Sequence, residues 1–411
     1  MAVRGRYLTG IVGLAVTCLL AAGLLVIASN RVKPSSVATA TGLQWQSADL
    51  PVSAALSPFL ASAAGRLYMV ALTGRNGEAR TTVVWSSLDG LSWEQMASPG
   101  MEADYVPRAV ADDGTGGLVV VGELTSTEQI VPEIWHASAG HPFSKAQLEA
   151  GGPGSGEIVA VAAGSGRLVA LGDHSFVTAS PSKDVPEVRG LDAWSSSDGA
   201  SWAHVGLPDS DGYQAIAMTA WGEGLAAIGY PMAGRETSTV WTSPDGSTWL
   251  KRADVAAFGA STIVALGNRL VILGARTDTQ LGMVPAAWSS TDATKWVESV
   301  APVNGVGVSF DAAAVVGDSV VAIGTSHVGT DQPLVEGSVP VPTMPPLAPP
   351  SVWISSDGSN WRSAGQAPQF QPYLTSIAGF GHRAVIATVT GTGVAVFVAD
   401  LTGAVKAASS S

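Results

Sequence analysis

Charge is what this 411-residue chain has least of: Asp, Glu, Lys and Arg together make up 13% of it, against about 25% in ordinary soluble domains. With apolar residues at 46%, such a sequence must bury much of its surface. Basic residues are the scarcer kind, 21 against 33 acidic, for a formal charge of −12. Setting aside Arg4, Arg6, Arg31 and Lys33 leaves 17 against 33, or −16. A field of that sign repels phosphate backbones and anionic lipid, so nucleic acid is excluded as an expected partner. Cysteine occurs once, at Cys18 inside an apolar run; no disulfide can close within one chain, and stability must come from packing. The six histidines, His136, His141, His174, His204, His327 and His382, show no zinc-ligand spacing, and a lone loop histidine is ordinarily solvated. Neither a Gly-Lys-Ser/Thr phosphate loop nor a Gly-x-Ser-x-Gly nucleophile elbow is present. No metal and no cofactor are expected.

Long apolar runs are also absent, with one exception. Leu8 to Ala28, LTGIVGLAVTCLLAAGLLVIA, gives 21 uncharged, mostly apolar positions, enough for a helix to span a bilayer core of about 30 Å. A transmembrane signal anchor over residues 1–30, followed by a linker over 31–40, is the first reading. A cleaved signal peptide is the alternative, with Val26-Ile27-Ala28 as a passable cleavage site. Either way the remainder is expected outside the cytoplasm: on a single-pass anchor if the segment is kept, secreted if it is cut.

What is there in quantity is a repeat. VVWSSLDGLSW ends at Trp93, DAWSSSDGASW at Trp202, TVWTSPDGSTW at Trp249, AAWSSTDATKW at Trp296 and SVWISSDGSNW at Trp361. The first tryptophans, with a degenerate copy EIWHASAGHPF at Trp135, are spaced 50, 59, 47, 47 and 65 residues apart. A second pattern runs alongside: a glycine turn, a basic or small residue, then an apolar strand usually ending in glycine. It reads AGRLYMVALTG, GGLVVVGE, SGRLVALGD, EGLAAIGY, GNRLVILGA, GDSVVAIGT and GHRAVIATV, seven copies in all. Each unit holds four short antiparallel strands in about 50 residues, the arithmetic of a β-propeller blade.

The fold class expected is therefore all-β, a seven-bladed β-propeller of four-stranded antiparallel blades over residues 41–403, preceded by the N-terminal helix and followed by a disordered tail over 404–411. After Trp361 the chain supplies three strands and stops, whereas TGLQWQSADLP, Thr41 to Pro51, reads as an outer strand without a blade. Pairing the two would close the last blade with an N-terminal strand and leave no large sheet edge open.

The Ser/Thr-x-Asp-Gly-x-x-Trp order suits a tight turn. Asp accepts bonds from the following amides, and Gly takes a positive φ without a Cβ cost. Asp89, Asp198, Asp245, Asp292 and Asp357 are accordingly read as structural turn residues, and twelve of the thirteen tryptophans, all but Trp221, as packing between blades. Ala293 replaces the glycine in one copy, which should force a different turn or cost on the order of 1 kcal/mol. These segments resemble the Asp-box, or BNR, repeats of sialidase-like β-propellers, although here Gly90, Gly199, Gly246 and Gly358 follow Asp directly, one residue earlier than in the usual box. The resemblance implies a propeller and brings a glycoside hydrolase of the sialidase type into view. That chemistry needs facing carboxylates or a tyrosine nucleophile, and the family resemblance adds three arginines and an early Arg-Ile-Pro. The nearest segment is Val106-Pro107-Arg108, and no arginine triad can be placed.

In an antiparallel blade the Asp-Gly turns share one face with the glycine turns. The long, dissimilar connections share the other, where function concentrates. Two stand out there, 173–192 and the proline-rich 325–350. Aromatic residues precede several inner strands: Phe59, Tyr105, Tyr213, Phe258, Phe310 and Tyr373. Tyr105, Arg108, Tyr213, Phe310 and Tyr373 are the candidate ligand-face residues, with core packing of the rings as the alternative. The function expected is a membrane-anchored extracytoplasmic module, monomeric and non-catalytic, binding a protein or envelope glycan. The alternatives are the sialidase-like hydrolase and a membrane-complex assembly factor, like the propellers that assist photosystem biogenesis.

Overall fold

A computed structural model describes residues 42–402 except 51–54, 75–79, 97–99, 102, 126–129, 152–154, 177–187, 235, 280–281, 304–307, 327–348, 369–374 and 391–392. The anchor, the linker, most of the proline-rich connection, Tyr373 and the tail 404–411 lie outside these residues. No helix among those described is long and apolar enough to cross a membrane.

Seven antiparallel sheets follow one another along the chain. Blade two, for example, runs Tyr105–Asp112, Leu118–Thr125, Ile130–Ala137 and Ser144–Lys145, each strand paired with the next. The inner strands contact one another in sequence from Ala55–Ala63 of blade one to Thr375–Phe380 of blade seven, which in turn contacts Ala55–Ala63. The ring is closed. Its last blade takes its outer strand from the other end of the domain: Trp45–Ser47 pairs antiparallel with Gly393–Asp400, Trp45 opposite Ala399. Leu43 extends the join by packing into the core between blades six and seven, and its amide donates to the Ala364 carbonyl at 2.9 Å. Among the described residues blade three has a fifth strand: Gln147–Leu148, from the connection leaving blade two, pairs parallel with Ser201–Gly206, and blade one shows the same contact as a single bridge, Asp49 opposite Ser92.

The glycine near the end of the second strand in blades two to six has a steric cause. Register shifts show a bulge on the inner strand near the loop face in six of the seven blades, for instance between Pro107 and Ala109 and between Phe310 and Ala312. A bulge re-aims one side chain and folds the backbone toward its neighbour. Gly122 and Gly324 sit opposite, and a Cβ there would run into the carbonyl oxygens of Val106 and Ser309.

The Asp-Gly turns repeat one geometry. In blade three Asp198 Oδ1 accepts the amides of Ala200 at 2.8 Å and Ser201 at 3.0 Å and the Ser196 hydroxyl at 3.0 Å, while Ser196 Oγ accepts the Gly199 amide. Gly199 stands at φ +73°. The Trp202 indole closes the turn by donating to the Gly199 carbonyl at 3.0 Å. Ala293 adopts the same turn at φ +59°, with the Thr294 and Lys295 amides on Asp292 at 2.8 Å and Trp296 on the Ala293 carbonyl at 3.2 Å. No different turn is forced. The first tryptophan does another job: Trp194, Trp241 and Trp353 donate to the carbonyls of Glu149, Pro208 and Pro302 in the connection entering their own blade. One indole thus fixes the turn face and the other the loop face. On the turn face, arginines from the glycine turns reach the following blade: Arg383 donates to the Asp89 carbonyl at 2.9 Å and Arg269 to Ser359 Oγ at 3.3 Å.

The turn carboxyls are all held below the usual carboxylate range. The principal cause is an accepted amide, that of Ser92 for Asp89, Ser201 for Asp198, Thr248 for Asp245 and Lys295 for Asp292. At Asp357 burial pushes upward, and the bonds from Asn360 nevertheless hold the carboxyl at about 2.

Candidate functional site

On the loop face, Arg108 is the bulged residue of blade two and remains exposed. Its Nε donates to both oxygens of Glu123, at 2.8 and 3.0 Å, and its Nη2 to Oε1. Glu123 follows the bulge-facing Gly122 and is only 2% exposed. Burial pushes its carboxyl up, Arg108 pulls it back, and Glu157 on the inner strand of blade three adds to the rise. The equivalent bulge residue in blade six is an acid, Asp311, which accepts the hydroxyls of Ser309 at 3.0 Å and Thr325 at 2.6 Å.

Two further carboxylates lie deep in blades two and three, each two residues before the first tryptophan. Glu133 accepts Lys145 Nζ and the Trp135 indole, the latter at 3.2 Å. Asp192 receives His174 Nδ1 on one oxygen at 2.9 Å and His204 Nε2 on the other at 2.7 Å. Asp192 pairs with Gly172 on one side and Gly206 on the other, and the two histidines stand diagonally across. Asp173, also buried, accepts the Ala215 amide of blade four at 3.3 Å.

The aromatic residues before the inner strands divide. Tyr105 and Phe310 are 0% and 1% exposed, and their rings meet Trp135 and Trp353 nearly edge-on, with centroids 6.3 and 5.2 Å apart. They form core, and the expectation of ligand-face rings at Tyr105 and Phe310 is corrected accordingly: no ligand face is left on either. The physical reason is the loop-face tryptophan, which needs an edge-on partner. Tyr213 packs the same way on Trp241 at 5.3 Å but stays half-buried, with Lys251 Nζ 3.2 Å from its hydroxyl and 5.0 Å from its ring centroid. In blade three the partner of Trp194 is His204, 5.8 Å between centroids. Phe59 and Phe258 are half-buried.

The expectation of solvated loop histidines is likewise corrected for three of them. His136, His174 and His204 lie in strands, and His136 Nε2 bonds Asp113 at 3.0 Å beneath the Gly199 turn. Among the described residues no group of three or more His, Cys, Asp or Glu could hold a metal ion. Sequence reasoning passed over Glu123, Glu133, Asp173 and Asp192. Their signal was a carboxylate set in an otherwise apolar strand, as in VVVGE, VALGD, EIW and DAW. Such a residue is seldom buried without a partner.

No family model and no curated protein matches the chain. Among solved structures, a protein of unknown function from Dyadobacter fermentans is 11% identical, with a TM-score of 0.48, over 86% of this chain and 96% of its own. The β-propeller domain of the Trilobed protease from Pyrococcus furiosus, described as having an open velcro topology, is 14% identical with a TM-score of 0.49, over 85% and 95%. Trypanosoma rangeli sialidase in complex with the inhibitor DANA is 14% identical with a TM-score of 0.43; the match covers 87% of this chain and 56% of the sialidase. The propeller assignment rests on this chain's own sheet topology.

Proposed function

We propose that this propeller is a non-catalytic binding or assembly module for a protein or envelope glycan, displayed outside the cytoplasmic membrane by the apolar segment at residues 8–28. The observation that carries the reading is the pairing of loop-face charge. Glu123 is held by Arg108, Glu133 by Lys145, and Asp192 by His174 and His204. Buried carboxylates paired with bases in this way hold the strands and the residues around them in one arrangement, a rigid frame for recognition. Around them the half-buried Tyr213 ring and the exposed Arg108 give a mixed apolar and cationic rim, a surface suited to docking.

One observation favours a hydrolase. Glu123 is a buried acid whose carboxyl is raised, with a second acid, Glu157, close enough to contribute, and a raised carboxyl beside another is how a general acid is prepared. The two readings separate in one experiment: the full chain is screened on a glycan array and, in parallel, assayed for hydrolysis of a fluorogenic sialoside. Binding without turnover is the expected result. Turnover that disappears in Glu123→Gln overturns the non-catalytic reading and puts the reaction on blade two.

A further inference from the structure

A cleft of about 470 Å³ opens on the turn face of blade three, at its outer corner, within the roughly 300–1,000 Å³ range of small-molecule sites. Its walls are the fifth strand with Gln147 and Glu149, the Asp-Gly turn with Ser197 and Ser201, and Arg167 beside Ser195; the indole of Trp202 lies beneath. The connection from blade two forms this wall because it is pinned along the blade by bonds from the Gln147 amide to the Ala200 carbonyl at 2.8 Å and from the Glu149 amide to the Trp202 carbonyl at 2.9 Å; blade one repeats the first of these, with the Asp49 amide on the Leu91 carbonyl at 2.9 Å, without a second.

In blades four and six the position of Ser201 is spent internally. Thr248 and Asn360, equivalent to Ser201, turn back onto the turn aspartates at 3.0 and 2.6 Å. Among the described residues the hydroxyls of Ser197 and Ser201 and the side-chain amide of Gln147 bond to nothing. Arg269 and Arg383 are fastened to the next blade, whereas Arg167, like Arg66 in blade one, makes a single bond to a serine of its own blade, Ser195 at 3.3 Å, and no ion pair among the described residues. The cleft therefore presents several unspent donors and acceptors, one cation and one anion on opposite walls.

We propose that this cleft binds a neutral, hydroxyl-rich oligosaccharide. Hydroxyls both donate and accept, and so match serine hydroxyls, a primary amide, the Arg167 guanidinium and the Glu149 carboxylate together. Net charge on the ligand is disfavoured, because the −16 balance of the propeller repels anions and Glu149 and Arg167 cancel locally. The site is on the face opposite Arg108 and Tyr213 and does not rest on the loop-face reading.

Isothermal titration of the full chain with linear neutral oligosaccharides of three to six sugars (malto-, cello- and chito- series), beside oligogalacturonate as the charged counterpart, tests it. At least one neutral series should bind. Ser201→Ala combined with Arg167→Ala should weaken that binding at least tenfold, and Arg276→Ala, at an exposed residue outside the cleft, should leave it unchanged. If Arg167→Ala fails to fold, Ser201→Ala combined with Gln147→Ala, both exposed, takes its place with the same tenfold expectation. Binding by no neutral series, tighter binding of oligogalacturonate, or full affinity in the cleft variants would each overturn the proposal. Loss confined to Arg108→Ala would also overturn it, while leaving the loop-face reading intact.

Discussion

Ala293 holds a left-handed conformation that every other described copy of its turn gives to glycine, and Ala226 supplies the reason it can. In blades one, four and six the turn glycine packs against the second strand of the blade before it. A Cβ on Gly246 would lie 2.7 Å from Val169 Cγ2, and one on Gly358 would collide with Val271. The position equivalent to Val169 and Val271, one residue before the partner of the first tryptophan, is Ala226 in blade four. Ala226 and Ala293 are both 0% exposed and share one core cluster. One methyl has been added where two were removed.

Ala293→Gly relieves about 1–2 kcal/mol of left-handed strain but loses a buried methyl worth roughly 1 kcal/mol and adds about 0.4–1 kcal/mol of unfolded-state entropy, for a net change near zero. Ala226→Val alone forces two methyls against Ala293 and should cost about 1–3 kcal/mol. The double variant restores the arrangement of the other blades, so its stability should exceed the sum of the singles by about 1–2 kcal/mol. At roughly 2.1 cal/mol/K per residue over the span 42–402, the melting temperature moves about 1.3 °C per kcal/mol, so the coupling reads as about 1.3–2.6 °C in a calorimetric double-mutant cycle. Additivity within about 0.3 kcal/mol would refute the compensation.

Gly122→Ala should destabilise by at least about 2 kcal/mol, because the new Cβ meets the Val106 carbonyl and lies 2.9 Å from Pro107 Cα. Gly206→Ala, with nothing within 4 Å, is the control, and equal melting temperatures for the two would sink the bulge argument. The turn carboxyls sit below their unfolded values, so the stability they contribute is present above the ordinary aspartate range near 4 and is lost as pH falls toward 2, where Asp357 titrates. Melting temperature between pH 5 and 2 should therefore drop less steeply in Asp357→Asn, and superimposable profiles would contradict the assignment. His204→Phe keeps a ring against Trp194 and removes one of two donors from the buried Asp192. A cost of about 2–3 kcal/mol in chemical denaturation is expected, and wild-type stability would show that the histidine serves only as a ring.

The architecture was legible because a propeller repeats its constraints. Trp194, Trp241 and Trp353 recur at one place in the repeat because each fastens the connection entering its own blade, and the Asp-Gly turn recurs because each pair of outer strands needs one positive-φ residue. The end-to-end closure was readable from an unmatched outer strand at Trp45 and an unfinished blade after Trp361. The loop face was less legible for a physical reason. Tyr105 and Phe310 are spaced like a binding rim, yet their burial is decided by tryptophans 30 and 43 residues further along, a pairing that becomes visible only once the blade is folded. Glu123 and Asp192 were hidden differently: their partners come from a bulge and from a diagonal across the sheet, and neither relation has a fixed sequence offset.

A repeat also converts its exceptions into evidence. If all seven blades only had to close a ring, a buried carboxylate would be a defect in any of them, since desolvating it costs several kcal/mol before a partner offsets the loss. Glu123, Glu133, Asp173 and Asp192 are nevertheless concentrated in two adjacent blades, where the fifth strand also departs from the pattern. Blade three also gives up its edge-on aromatic partner for His204, which turns to the buried Asp192. Departures that cost stability and cluster in one sector are not drift around a common blade; they mark blades two and three as the part of the ring that has a task beyond closing it.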